Sequence, residues 1–348
     1  RYVADPMPAD EWRLNLIKRD EKKTLWKNDE AALLDLGDGV ALFEFRSKAN
    51  ALGSELMQGL GEAITRVENE RDLRGMVIGN EGANFSVGAN LAELVMALSM
   101  GQADQIEPFL KGFQATVQRV RYATKPVVVT VHQRVLGGGC EMAMACPHPV
   151  AAAETYIGLV ELGVGLIPAG TGTMRMTAWA ASRGANAEFP SDIQPFLRKA
   201  FEQIATAKVA TSARMAQAMG YLPPEGIIVM NAERRFHVAK QEVVRLSEQG
   251  YLPPPVLTHI PVLGAPGRAQ FEVALFQFER GGYVSPYDRL LGQKLAWVMT
   301  GGDLTAPAEV HEDYLLDLER EVFLSLLTEE KTQARIASIL TTNKPLRN

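Results

Sequence analysis

The 348-residue chain predicts an α/β fold in which strand–strand–helix units repeat, followed by a helical C-terminal subdomain. Three observations carry that expectation. Two short apolar runs, 31–36 and 40–45, flank Gly37-Asp38-Gly39 and read as a hairpin. A helix-spaced apolar stripe and another apolar run follow them, and the same unit returns in looser form further on. After a proline-rich connector the pattern is helical to the end.

The elements follow in order. Residues 1–30 are charged, contain two Trp and lack periodicity, so they read as a linker or arm that leans on a partner surface. Residues 31–250 are expected to form the core domain. Within it, residues 54–70 place Leu56, Leu60, Ala63, Ile64 and Val67 on one helical face, and 75–79 returns to strand. The stretch 91–122 has the length of two helices, broken near Gly101 and again at Pro108. Strands are predicted over 126–131 and 149–153, and a late one over 226–230. Residues 251–348 comprise a connector and the helical subdomain. Leu252-Pro253-Pro254-Pro255, Pro261 and Gly264-Ala265-Pro266-Gly267 mark the connector as non-helical, and 268–280, 285–299, 311–327 and 330–340 read as four helices.

Composition bounds the function. A chain that is 47% hydrophobic and 22% charged is globular. Its net charge of -5, from 36 basic and 41 acidic residues without long like-charge blocks, argues against a nucleic-acid binder. Cys140 and Cys146 sit in an apolar stretch without a His cluster at ligand spacing, so burial is expected and no metal site is. There is no apolar run of membrane-spanning length, and Arg1-Tyr2-Val3-Ala4-Asp5 has no signal-peptide core. A cytoplasmic protein is expected, and a start at Arg suggests a piece of something longer.

The chemistry concentrates in three glycine-bearing segments. Glu141 is the lone charge in Leu136-Gly137-Gly138-Gly139-Cys140-Glu141-Met142-Ala143-Met144-Ala145-Cys146, and a carboxylate buried there would have its pKa raised toward a range suited to proton exchange. Glu161 is the lone charge in the segment running from Tyr156 to Pro168. Two such carboxylates facing one site could bind one water between them and divide acid and base roles. In the third segment, Asn84-Phe85-Ser86-Val87-Gly88-Ala89-Asn90-Leu91, the backbone N–H of Val87, with that of Gly138, would be free at a helix start to stabilise an oxyanion.

These three segments, in this order, resemble the crotonase superfamily, the enoyl-CoA hydratase/isomerase fold. The likeness runs from about Ala31 to Gln249 and includes Thr211-Ser212-Ala213-Arg214-Met215-Ala216-Gln217-Ala218-Met219-Gly220. It implies a crotonase-like spiral. Hydratases of the family carry glutamates at the positions matching Glu141 and Glu161, so the resemblance implies hydration of a trans-2-enoyl-CoA, with Glu141 activating the water and Glu161 donating the proton. It also implies an oxyanion hole at Val87 and Gly138, CoA contacts at Arg46, Lys48 and Ala49, and a homo-oligomer, trimer or hexamer. An isomerase using Glu161 alone and a non-catalytic assembly module are the competing readings.

The tail resembles the C-terminal hydratase part of bacterial 3-hydroxyacyl-CoA dehydrogenases of fatty-acid β-oxidation. The matching pieces are Arg280-Gly281-Gly282-Tyr283-Val284-Ser285, Thr300-Gly301-Gly302-Asp303 and Asn343-Lys344-Pro345-Leu346-Arg347-Asn348. No strand here leads into Gly-x-Gly-x-x-Gly, so NAD is expected only on an absent dehydrogenase part and no cofactor in this chain. Asn90 and Pro147-His148 depart from the family pattern, as does Thr171, which stands where relatives often have glycine. His132 reads as a core residue. Met96, Met100, Met142, Met144, Met174 and Met176 are candidates for an acyl tunnel, and 91–122 for its wall.

Overall fold

The computed structural model describes residues 10–185 and 192–348; residues 1–9 of the N-terminal arm lie outside them. A short helix α1 (Leu14–Ile17) precedes β1 (Thr24–Lys27), β2 (Ala31–Asp35), β3 (Val40–Phe45), α2 (Ser54–Asn69) and β4 (Gly75–Gly79). Then come α3 (Leu91–Ser99), α4 (Ile106–Tyr122), β5 (Val127–Leu136), α5 (Gly138–Ala145) and β6 (Val150–Gly158). Helices α6 (Gly172–Ala185), α7 (Gln194–Ala205) and α8 (Ala213–Met219) lead to β7 (Ile227–Val229) and α9 (Arg235–Glu248). The chain closes with β8 (Ile260–Val262), α10 (Gly264–Arg280), α11 (Pro286–Met299), β9 (Ala308–Val310), α12 (Glu312–Leu327) and α13 (Glu330–Thr342).

Strands β1 to β7 form one sheet in sequence order. The first three are antiparallel, because the Gly37-Asp38-Gly39 turn, with positive φ at all three residues, folds β3 directly back on β2. From β3 onward the pairs are parallel, and α2 makes the first helical crossover. Its stripe of Leu56, Leu60, Ala63, Ile64 and Val67 is buried, as the spacing requires.

Strand β5 carries the chain toward the site. Val127, Val128 and Val129 pair with β4, whereas Thr130 to Leu136 pair with β6 across a register shift between Val131 and Gln133. Gln133 takes φ 49° there, so the strand bends and continues alongside β6. Isolated bridges join Ser86 to Val135, Leu52 to Ala89 and Ile157 to Ala210. The strands predicted over 126–131 and 149–153 are therefore longer than expected, since the bend hides a continuing strand behind polar residues.

Three sequence expectations change. Residues 24–27 pair with β2, Leu14 is fully buried, and the Trp26 ring stacks on Phe43, so this stretch leans on its own sheet. A half-buried edge strand with a register shift at Thr24/Trp26 has no clean alternation to read. Pro108 does not break a helix but lies in the first turn of α4, where its missing N–H costs nothing. Gly264 to Gly267 likewise form the first turn of α10, including Pro266.

Helices α10 to α13 share a contiguous apolar core with α4 to α7, through residues such as Leu291, Leu295, Leu315 and Ile336. No described helix is long and apolar enough to cross a membrane.

Candidate active site

Strand β5 ends at Leu136, and Gly137, at φ 54° and ψ -127°, turns the chain into α5. The Gly137 N–H is held by the Gly158 carbonyl at 3.0 Å, which fixes the turn against the end of β6. One turn into α5 stands Glu141, 3% exposed and surrounded by the buried residues Gly138 to Ala145. The helix thus buries its only charge.

Among the described residues, Glu141 takes hydrogen bonds on one oxygen only. Its Oε1 accepts the N–H of Gly170 at 2.8 Å and of Gly172 at 2.7 Å. Burial raises its pKa to about 7, opposed by those two donors and by Arg175. A side chain at 170 would place its Cβ 2.4 Å from Phe113 Cε1 and 2.5 Å from Glu141 Oε2, so only glycine lets this turn come so close.

Glu161 opens the 3₁₀ turn Glu161–Val164 that follows β6. Its Oε2 is buried without a hydrogen-bond partner among the described residues. Burial first, and then the neighbouring Glu141 charge, push its pKa well above the usual carboxylate range. The two carboxylates titrate as a pair, both pushed up by burial.

Both glutamates line one cavity of about 380 Å³, together with Val87 and Gly138. Every other lining residue among those described is Gly, Ala, Val, Leu, Ile, Phe or Pro, so the glutamates are its only polar side chains. Among the described residues, the N–H groups of Val87 and Gly138 have no protein acceptor. The two loops lie against each other, with the Cβ position of Gly88 only 3.5 Å from the Gly138 nitrogen. Two buried carboxyls and two free amides in an apolar cavity can move a proton and stabilise an oxyanion.

The structure thus brings Glu141, Glu161, Val87 and Gly138 together. Arg46 is elsewhere: its Nη2 donates to the carbonyls of Asn28 and Ala31, and it serves the edge of the sheet. Lys48 and Ala49 are exposed, beside the Val87 loop rather than in the cavity. That neighbourhood follows from Leu52, whose N–H reaches the Gly88 carbonyl at 2.9 Å and whose carbonyl accepts the Asn90 N–H at 3.1 Å.

The six methionines do not line the cavity. Met142, Met144, Met174 and Met176 are packed in the core, and Met96 and Met100 are exposed. The wall from 91–122 is instead Leu91, Leu94, Phe109, Leu110 and Phe113. His132 is remote from it, buried with Nε2 at 2.7 Å from the Gly82 carbonyl, and burial lowers its pKa to about 4. Both cysteines are free and buried.

Sequence reading missed the contribution of the tail. Phe323 of α12, Ile339 of α13 and Pro345 complete the cavity wall. Glu319 of α12, fully buried, accepts the N–H of Thr171 at 3.1 Å and of Met174 at 2.6 Å.

Residues 36–187 match the family model described as enoyl-CoA hydratase/isomerase. The chain is 40% identical over 330 residues to a probable 3-hydroxyacyl-CoA dehydrogenase of Bacillus subtilis (strain 168), a match covering 95% of this chain and 41% of that protein. A probable enoyl-CoA hydratase of the same strain is 34% identical over 137 residues, 39% of this chain and 52% of the relative. The chain therefore spans about half or less of these curated relatives. The fold is shared with the crystal structure of an enoyl-CoA hydratase from Rhodobacter sphaeroides 2.4.1, at a TM-score of 0.63 and 15% identity, covering 92% of each chain. The crotonase-like fold expected from the sequence is the one observed.

Proposed function

We propose that the chain is an enoyl-CoA hydratase, adding water across the trans-2 double bond of an enoyl-CoA to give a 3-hydroxyacyl-CoA. The observation that carries this is the pair Glu141 and Glu161, the only polar side chains among the described residues that line an otherwise apolar cavity.

In this reading the thioester oxygen lies between the N–H groups of Val87 and Gly138. One water sits between the carboxyls. Glu141, ionised, takes a proton from the water as its oxygen bonds to the β-carbon. The π electrons of the double bond shift toward the thioester, whose oxygen gains negative charge and is held by the two amides. Glu161, protonated, delivers its proton to the α-carbon, and the proton held by Glu141 restores Glu161 before the next turnover. The two amide N–H groups that donate to Glu141 Oε1 favour its ionised form, which supports its role as the base.

Lys48 and Ala49, on the loop beside Val87, are proposed to meet the nucleotide end of CoA. We further infer a homo-oligomeric, cytoplasmic enzyme acting in fatty-acid β-oxidation and joined to an NAD-binding dehydrogenase part, because the 40% identical relative carries the dehydrogenase name and is longer than this chain. Light scattering tests the oligomer, and a monomer would oppose it.

Hydration of crotonyl-CoA by the chain tests the activity. An isomerase using Glu161 alone would act on a 3-enoyl-CoA and keep that activity in Glu141→Gln, whereas a hydratase would lose turnover of the 2-enoyl substrate in both glutamine variants.

A further inference from the structure

We propose that Glu319 is a positioning residue for the Glu141 carboxylate, acting through the turn 169–174 that both glutamates grip. The inference rests on the hydratase reading of the site.

The turn presents its amides in alternation. Gly170 and Gly172 donate to Glu141 Oε1, at 2.8 and 2.7 Å. Thr171 donates to Glu319 Oε2 at 3.1 Å, and Met174 to Glu319 Oε1 at 2.6 Å. Successive peptide groups from 170 to 172 therefore face opposite carboxylates. Such alternation bends the backbone sharply, and Thr171 takes φ 111°, a region that residues other than glycine rarely adopt. A strained residue persists only where its surroundings hold it, and here the holder of its N–H is Glu319.

Packing alone does not explain an acid at this position. Glu319 sits among apolar neighbours on its own helix, Leu315, Leu316, Leu318, Val322 and Phe323, all buried. No Lys or Arg forms an ion pair with it among the described residues. Its third donor is Gln114 Nε2 at 3.3 Å, and that amide also donates to the carbonyls of Ala169 at 2.8 Å and Leu316 at 3.1 Å. Gln114 thereby fixes both the start of the turn and the acid. A buried carboxyl without a cation is costly unless its lone pairs are used, and here they are used on the turn that aims two amides at Glu141. Removing one acceptor from Glu319 leaves Thr171 or Met174 without a partner, so the turn relaxes and the Gly170 and Gly172 donors lose their aim.

The test compares kcat and KM for crotonyl-CoA hydration in the parent chain, Glu319→Gln, Glu141→Gln and the double variant. Glu319→Gln is expected to lower kcat roughly 10- to 100-fold, the cost of a small misplacement, with KM within about twofold of the parent. In the Glu141→Gln background the same change should cost less than about threefold, because the group it positions is gone. Equal losses in both backgrounds would mark Glu319 as structural only and overturn the proposal, as would an unchanged kcat. If Glu319→Gln does not fold, Glu319→Asp, which keeps the carboxyl group but shortens its reach, carries the same cycle with the same supporting and overturning results. A parent chain that does not hydrate crotonyl-CoA removes the hydratase reading and this inference with it; a parent that does, with Glu319 variants unaffected, removes the inference alone.

Discussion

The hydroxyl of Thr332 on α13 donates to the carbonyl of Gly165 at 2.6 Å, and Gly165 is the residue that ends the turn opened by Glu161. Arg335, one helical turn later, adds a bond from Nη1 to the Leu162 carbonyl at 3.3 Å within the same turn. The last helix therefore fixes the backbone beneath Glu161. Gly165 has φ 83°, and a Cβ there would fall 2.5 Å from Thr332 Oγ1.

Gly165→Ala is expected to move the turn away from α13. Backbone strain and overpacking together should lower stability by about 2–4 kcal/mol. Urea unfolding measures it, and a loss under about 1 kcal/mol would show that α13 does not fix the turn.

Arg335 is also buried against Asp288, with Nη2 at 2.8 Å from Oδ1. Arg335→Met should cost about 3–5 kcal/mol, since Asp288 loses its cation and the Leu162 carbonyl loses a donor. Thermal unfolding of this variant beside Asp288→Asn/Arg335→Met checks the cause, because removing both charges should return part of the loss.

The fold is legible in the sequence where period and punctuation agree. The hairpin around Gly37-Asp38-Gly39 and the Leu56 to Val67 stripe are local patterns, and the structure keeps them. Glu141 and Glu161 stand out because each is a lone charge among apolar residues. Glu319 does not, because Asp317-Leu318-Glu319-Arg320-Glu321 reads as the solvated face of a helix. Its burial follows from α12 packing on α4 and α6, a long-range contact that helical spacing does not encode. The methionines misled for the converse reason: an adaptable apolar side chain looks the same in a core as in a tunnel, and Phe109, Leu110 and Phe113 took the wall.

Thr171→Gly offers a gain. It relieves a positive φ worth about 1–3 kcal/mol, offset by glycine's entropy and the lost contact of Arg175 Nε with Thr171 Oγ1 at 3.2 Å. A net rise of up to about 1 kcal/mol in unfolding free energy is expected. A fall of that size would mean that the Arg175 contact outweighs the strain.

The pH dependence of stability follows from burial. Glu141, Glu161 and Glu319 all have pKa values raised above the usual 4.5, so above that pH the folded chain holds protons that the unfolded chain has released. Stability is therefore highest at low pH for these groups and falls as pH rises from about 4.5 through their folded values, with Glu141 passing at about 7. Melting temperature followed across this range should decline less steeply in Glu161→Gln than in the parent. Parallel slopes would mean that Glu161 ionises freely in the folded chain.

The most direct measurement is the hydration of crotonyl-CoA in D₂O by the parent chain and by Glu141→Gln and Glu161→Gln separately. The parent should form 3-hydroxybutyryl-CoA with deuterium on the α-carbon, and each variant should turn over roughly 10²–10⁴-fold more slowly. Near-parental turnover in either variant would contradict a mechanism in which both carboxyls hold the attacking water.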